Sequence, residues 1–207
     1  MSGLVPWREG LWSLITSLLI SVLLPTSANA HLVNTGLGPF YDGVSHVLLS
    51  PEDLIPVIAM ALFAGLNGPI AGRHALFALT GAWLVAGVVG SLVATPLLPA
   101  AVTTGSFLLL GTLTATDRRL SPAAVATLAA AIGVLHGWLN GASTVGTKPA
   151  TIGVLLGVTS AIFVLVAIVA ATPVATRWAW GRVGFRVTGS WIAAIGLLML
   201  GWEMRKM

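Results

Sequence analysis

Long apolar runs separated by short polar breaks fill most of this 207-residue chain. A helix needs about 20 apolar residues to cross roughly 30 Å of hydrocarbon, and several runs reach or approach that length. The first run after residue 50 has a clear helix start, because Ser50 can cap the helix and Pro51 suits its first position. The pattern predicts helices that span a membrane near residues 52–66, 70–94, 97–116, 122–140, 150–171 and 185–203.

The first thirty residues have the pattern of a secretory signal peptide. Arg8 precedes an apolar run over residues 11–24, and Ala28-Asn29-Ala30 then forms the small-x-small site that signal peptidase cleaves. The alternative is an uncleaved first helix. We therefore predict a signal peptide at residues 1–30, a polar segment outside the membrane at 31–51 and a six-helix transmembrane domain at 52–207.

Composition supports an all-α integral membrane protein. The chain is 57% hydrophobic and only 8% charged, whereas a soluble domain carries about 25% charged residues to cover its surface. The net charge of +4 comes from scattered basic residues and not from a basic patch, so no nucleic-acid partner is expected. Glycines at positions 81, 87 and 90, and the pair Gly153 and Gly157, favour close helix contacts.

The positive-inside rule predicts which way the helices run. With residue 31 outside, six arginines fall in loops on the inner side, and three basic residues, Lys148, Arg205 and Lys206, fall outside. The chain is therefore expected to be a multi-pass inner-membrane protein, with its mature N-terminus on the outer side. The six inner residues are Arg73, Arg118, Arg119, Arg177, Arg182 and Arg186.

Ionisable side chains that could bind a metal gather on the predicted outer side. Cysteine is absent, so only nitrogen and oxygen ligands are available, and these suit nickel, cobalt, copper or zinc. If residues 40–48 are helical, Asp42 and His46 lie four residues apart on one face. The alternative is that the acids only cap helices or form a turn. The predicted ligands are His31, Asp42, His46, Glu52, Asp53 and His136.

His136 is notable because an ionisable group within a membrane helix is costly and usually faces a cavity or an ion path. Asn140 lies four residues later. Its amide is a candidate metal ligand or a candidate hydrogen-bond partner of the side chains that bind the metal. The alternative is a histidine that only bonds a neighbouring helix. After cleavage, His31 would offer its amino group and its imidazole to one metal. Beyond His136 and Asn140, the spans supply only Ser, Thr and backbone oxygens.

Two short motifs resemble those of the HupE/UreJ family. His46-Val-Leu-Leu-Ser-Pro-Glu52-Asp53, followed by an apolar helix through Met60, resembles its first signature, a histidine with an Asp-His pair six and seven residues later. Glu52 stands at the position of the Asp and Asp53 at that of the His, which indicates a divergent branch. His136-Gly137 resembles the second signature. The resemblance implies a small bacterial membrane protein with a signal peptide and about six spans, of a kind regarded as nickel or cobalt permeases.

The expected function is therefore a permease for a divalent transition metal, with a capture site on the outer face. No enzyme signature and no ATP-binding loop occurs in the sequence, so no catalysis is expected. Two alternatives remain open: an accessory subunit that binds metal without transporting it, within a homo-oligomer or larger membrane complex, and a copper-dependent membrane oxidoreductase that uses the His31 amine.

Overall fold

The computed structural model describes residues 34–93, 100–143 and 151–205, so the predicted signal peptide and His31 lie outside the described residues. Within these ranges the chain is all-helical, without a strand. Its seven helices are α1 (Pro39–Leu49), α2 (Pro51–Leu66), α3 (Pro69–Leu92), α4 (Ala100–Ala115), α5 (Pro122–Ser143), α6 (Thr151–Ala175) and α7 (Ala179–Met204).

Helices α2 to α7 correspond to the six predicted from the apolar runs, which confirms the all-α fold class. Helix α1 is additional and falls inside the segment 31–51 that was expected to be an outer polar stretch. Gly38 precedes it with a positive φ of 102°, and Pro39 supplies its first residue. The helical state of residues 40–48, on which the shared face of Asp42 and His46 depends, is thereby confirmed.

Fewer helices satisfy the length and hydropathy of a membrane span than the six predicted. Four of the described helices, α3, α5, α6 and α7, are long and apolar enough. Helices α1 and α2 qualify only as a pair, bent by 73° at their junction, which would make a fifth. Sixteen residues of α2 extend about 24 Å at 1.5 Å each, short of roughly 30 Å of hydrocarbon. Helix α4 is likewise a shorter apolar helix.

Helix α2 can be short because other helices surround it. It contacts each of the other six described helices, and all its residues from Ala59 to Leu66 are buried. Neighbouring helices rather than lipid therefore cover the apolar surface of α2. This central position buries Asp53, in the first turn of α2, inside the bundle.

Glycines bring α3 and α5 into backbone contact. Gly133, Gly137 and Gly141 recur every four residues along α5, and a Cβ at any of them would come closer than 3.0 Å to the backbone of α3. Such small residues let membrane helices approach closely. The predicted contact at Gly157 is confirmed against α1, whereas Gly81 has no described atom within 4 Å of where its Cβ would lie. That part of the prediction was wrong, because Gly81 faces away from the neighbouring helices.

The arginines predicted to lie inside share one end of the bundle, which we call the arginine end. Helices α2, α4 and α6 end here, and α3, α5 and α7 begin here. Arg119 donates to the carbonyl oxygen of Leu66 at 2.8 Å, which ties the turn after α4 to the end of α2. Arg182 of α7 makes two hydrogen bonds of 2.5 and 2.6 Å to Asp117. These contacts join the end of α2 and the start of α7 to the turn after α4, at the end opposite to Asp53.

Candidate metal-binding site

Asp53 is the centre of a buried group of polar side chains drawn from three helices. Its side chain is 4% exposed, and its Oδ1 lies 3.1 Å from Nδ1 of His136 on α5. Its Oδ2 lies 3.4 Å from Nε2 of His46 on α1 and accepts a hydrogen bond of 2.9 Å from Nδ2 of Asn140. We call His46, Asp53, His136 and Asn140 the His–Asp cluster. The structure thus brings together four residues that the sequence proposed for one site.

The bend between α1 and α2 brings His46 to Asp53. Ser50 adopts an extended conformation with φ −101° and ψ 97°, as expected for a residue before proline, because the ring of Pro51 disfavours a helical backbone there. The N–H of Ser50 closes α1 on the carbonyl of His46 at 2.9 Å, and its carbonyl accepts from the N–H of Asp53 at 3.0 Å. Seven positions apart in sequence, His46 and Asp53 therefore meet across the bend.

Two neighbours orient the imidazole of His136, which is 2% exposed. The indole of Trp83 on α3 stacks on it, with ring centroids 5.6 Å apart and an interplanar angle of 22°. On α4, Ser106 Oγ lies 3.1 Å from Nε2 of His136 and donates to the carbonyl of Thr103 at 2.6 Å. These contacts direct Nδ1 of His136 toward the carboxylate of Asp53.

Two arrangements of hydrogen fit the contacts of His136. If the hydroxyl of Ser106 donates to Thr103, its oxygen accepts from Nε2–H of His136. If that hydroxyl donates to Nε2 instead, the neutral imidazole donates from Nδ1–H to Asp53 Oδ1. In both arrangements a hydrogen bond of 3.1 Å joins Nδ1 of His136 to Oδ1 of Asp53.

The chemistry of the cluster fits a divalent transition metal, although its present geometry is that of a hydrogen-bonded network. Two imidazoles, a carboxylate and an amide are donors that nickel and cobalt accept. As they stand, the described residues contain no group of three or more His, Cys, Asp or Glu side chains arranged around one metal position. The ligand atoms instead point at one another, so metal binding requires the side chains to exchange hydrogen bonds for metal bonds.

Comparison with known proteins identifies the family. The family model described as HupE / UreJ protein matches residues 18–199, which cover most of the chain. The chain belongs to the HupE/UreJ family. This confirms the resemblance carried by the His46 and His136 motifs. No curated protein and no solved structure matches the chain.

Two of the other predicted ligands of this HupE/UreJ protein lie outside the His–Asp cluster. Asp42 Oδ1 accepts hydrogen bonds of 2.7 Å from both the backbone N–H and the hydroxyl of Thr35, which fix the turn before α1. Glu52 is exposed, because it follows Pro51 on the outer face of the first turn of α2, one residue from the buried Asp53. A ligand role for Asp42 and Glu52 stays a prediction, as it does for His31.

Sequence reasoning did not single out Trp83 or Ser106 as neighbours of His136. Ser106 is one of many hydroxyl residues in apolar helices, and nothing local distinguishes it. Trp83 lies in the middle of a predicted span, away from the ends where interfacial tryptophans gather. That unusual position is the signal that could have marked it.

Two surface cavities near the arginine end are separate from the His–Asp cluster. One of about 350 Å³ lies between the first half of α3 and the last half of α6, with Arg73 among its lining residues. The other, of about 260 Å³, has Arg177 and Arg182 in its lining. Neither lining includes a cluster residue.

Proposed function

We propose that this HupE/UreJ protein carries a divalent metal ion of the nickel and cobalt type across the membrane and captures it at the His–Asp cluster. The observation that carries the proposal is the convergence of His46, Asp53 and His136 from three helices at a buried position. Ionisable side chains are expensive inside a membrane protein and are retained mainly for function. Family membership supports the same class of metal.

Capture follows from the chemistry of the cluster. A divalent cation entering between Nδ1 of His136 and Oδ1 of Asp53 takes the place of the proton there and neutralises the buried carboxylate. His46, which is 12% exposed, and the partly exposed Asn140 are the cluster residues through which the ion enters. Rotation of the Asn140 amide would exchange its Nδ2 for its oxygen, which can ligate a cation.

The arginines support an inward direction of transport. The cluster lies near the end opposite to the arginine end, and arginine-rich loops face the cytoplasm in most inner-membrane proteins. We therefore propose that the cluster faces the outer side and meets metal from the periplasm. Release on the inner side requires helices around α2 to move, because its residues from Ala59 to Leu66 are apolar and packed.

A second candidate is an accessory role in which metal is bound and not transported. The observation that favours it is the scarcity of polar groups in the membrane interior. Among the described residues, the buried polar or charged side chains beyond Asp53 and His136 are Thr80, Thr104, Ser106 and Thr114. Both roles predict that the protein binds metal. They differ in whether it carries the metal across the membrane.

Reconstituted vesicles that enclose a metal-sensitive dye separate these roles. We expect the parent protein to raise the internal Ni²⁺ or Co²⁺ signal and His136→Ala to abolish the rise. His74→Ala is the matched control, because His74 is exposed near the arginine end and outside the cluster. Binding without uptake by the parent supports the accessory role, and neither binding nor uptake contradicts both.

The N-terminal ligand is tested separately. Intact-mass spectrometry of protein extracted from membranes should give a mass that begins at His31. A mass that retains residues 1–30 would remove the amino-terminal ligand from the site and leave the His–Asp cluster unaffected.

A further inference from the structure

Two buried polar atoms on α3 have no hydrogen-bond partner among the described residues: Oγ1 of Thr80 and Nε1 of Trp83. Thr80 is 8% exposed and Trp83 is 0% exposed. Buried polar atoms almost always bond to protein or to ordered water. A threonine in a helix usually donates to the carbonyl one turn earlier, as Thr159 does to Leu155 at 2.7 Å. Thr80 does not, which leaves its hydroxyl available to another partner.

The two residues that carry these atoms are neighbours on α3, and one of them contacts the His–Asp cluster. Thr80 precedes Trp83 by three residues, so the two side chains share one face of α3. The indole of Trp83 stacks on His136. Side chains of a helix lean toward its N-terminus, and α3 begins at the arginine end. Thr80 therefore lies one turn from Trp83 in the direction of the arginine end.

We infer that Thr80 and Trp83 bind an ordered water molecule directly inward of His136, and that this water is the next polar position for a cation leaving the cluster. The indole N–H is a donor only and cannot ligate a cation, but it can donate to a water oxygen. The Thr80 hydroxyl accepts one hydrogen of that water. One lone pair of the water then remains for the cation, and buried waters typically make about three such contacts. This inference rests on the proposed function.

Thr80→Val tests the water site, because valine keeps the shape of threonine and removes the hydroxyl. If Thr80 binds water, the substitution leaves that water with one fewer partner, and the melting temperature of the purified protein should fall. If the hydroxyl has no partner at all, removing it relieves a desolvation cost and the melting temperature should rise. The sign of the change therefore separates a bound water from an unpaired hydroxyl. Thr159→Val supplies the baseline for the same change elsewhere.

Metal uptake into dye-loaded vesicles tests the role of the water in passage. Thr80→Val and Trp83→Phe, which keeps an aromatic ring on His136, should lower Ni²⁺ uptake by about tenfold or more, the scale of losing an outer partner of a metal site. Thr80→Val should leave Ni²⁺ affinity at the cluster within about twofold. Thr80→Ser restores the hydroxyl and should restore uptake, and Thr159→Val should transport like the parent.

The remaining outcomes overturn the inference. A higher melting temperature for Thr80→Val shows that no water is bound. A lower melting temperature with parental uptake in both variants shows a structural water that has no part in passage. If the parent itself takes up no metal, the proposed function fails, and the passage role fails with it, while the melting temperatures still decide whether water is bound.

Discussion

Replacing Asp53 with alanine removes the acceptor that two histidines and an asparagine share. The Asp53 side chain is 4% exposed, so water cannot take its place for His46, His136 and Asn140. Removing one partner of a buried ion pair typically costs about 3–5 kcal/mol. For a chain of this size each kcal/mol lowers the melting temperature by about 2–4 °C. We therefore expect Asp53→Ala to melt about 6–20 °C below the parent.

The same substitution should affect metal binding more strongly than the loss of an outer partner does. Loss of an outer partner typically lowers metal affinity by about 10–100-fold, and Asp53 would be a direct ligand. The assay is isothermal titration of purified protein with Ni²⁺ and Co²⁺, alongside thermal unfolding. The matched control is Asp117→Ala, which breaks the ion pair with Arg182 at the arginine end. Because these side chains are 20% and 37% exposed, solvent screens the pair, and its loss should cost at most about 1 kcal/mol.

The pair of variants discriminates between a ligand and a structural carboxylate. Asp53→Ala should lose both stability and metal affinity, whereas Asp117→Ala should keep parental affinity. If Asp53→Ala is less stable but binds Ni²⁺ as tightly as the parent, Asp53 is a structural acceptor only. That result would refute the proposed ligand set. The position of Asp53, where the family signature has a histidine, would then not indicate a metal ligand.

Three further predictions address selectivity, topology and packing. Asp53→His should retain metal binding and favour Ni²⁺ over Mn²⁺ in competition titrations, because imidazole is the stronger ligand for nickel; preference for Mn²⁺ would contradict this. In otherwise cysteine-free protein, Tyr41→Cys should react with an impermeant maleimide added outside intact cells and Ser121→Cys should not; the reverse would invert the proposed orientation. Gly137→Ala should lower the free energy of unfolding by about 1–3 kcal/mol through overpacking. Gly81→Ala should leave it unchanged or raise it by up to about 1 kcal/mol. Equal melting temperatures for the two variants would contradict the close α3–α5 contact.

Local sequence was sufficient to locate six of the seven described helices and much of the site. Apolar runs bounded by Gly, Pro and Ser predict helices because burial of apolar side chains and the conformational limits of proline and glycine act over short stretches of chain. The same reasoning predicted His46, Asp53 and His136 near one end of the helices, since alternation of spans carries each loop to a defined face, and their contacts with one another agree with it. The motifs around His46 and His136 then indicated the family, which the family model confirms.

The tertiary structure decided which candidates meet. The bend at Ser50 turns His46 toward Asp53 and leaves the neighbouring Glu52 exposed, a difference that depends on which face of α2 enters the bundle. Asp42 has the same residue type as Asp53 but bonds to Thr35, because the turn before α1 offers closer donors. Contacts from α3 and α4 to His136 join residues at least 30 positions apart, as Ser106 and His136 are. Such contacts depend on how helices pack against one another, and the spacing of residues along one chain does not determine that packing.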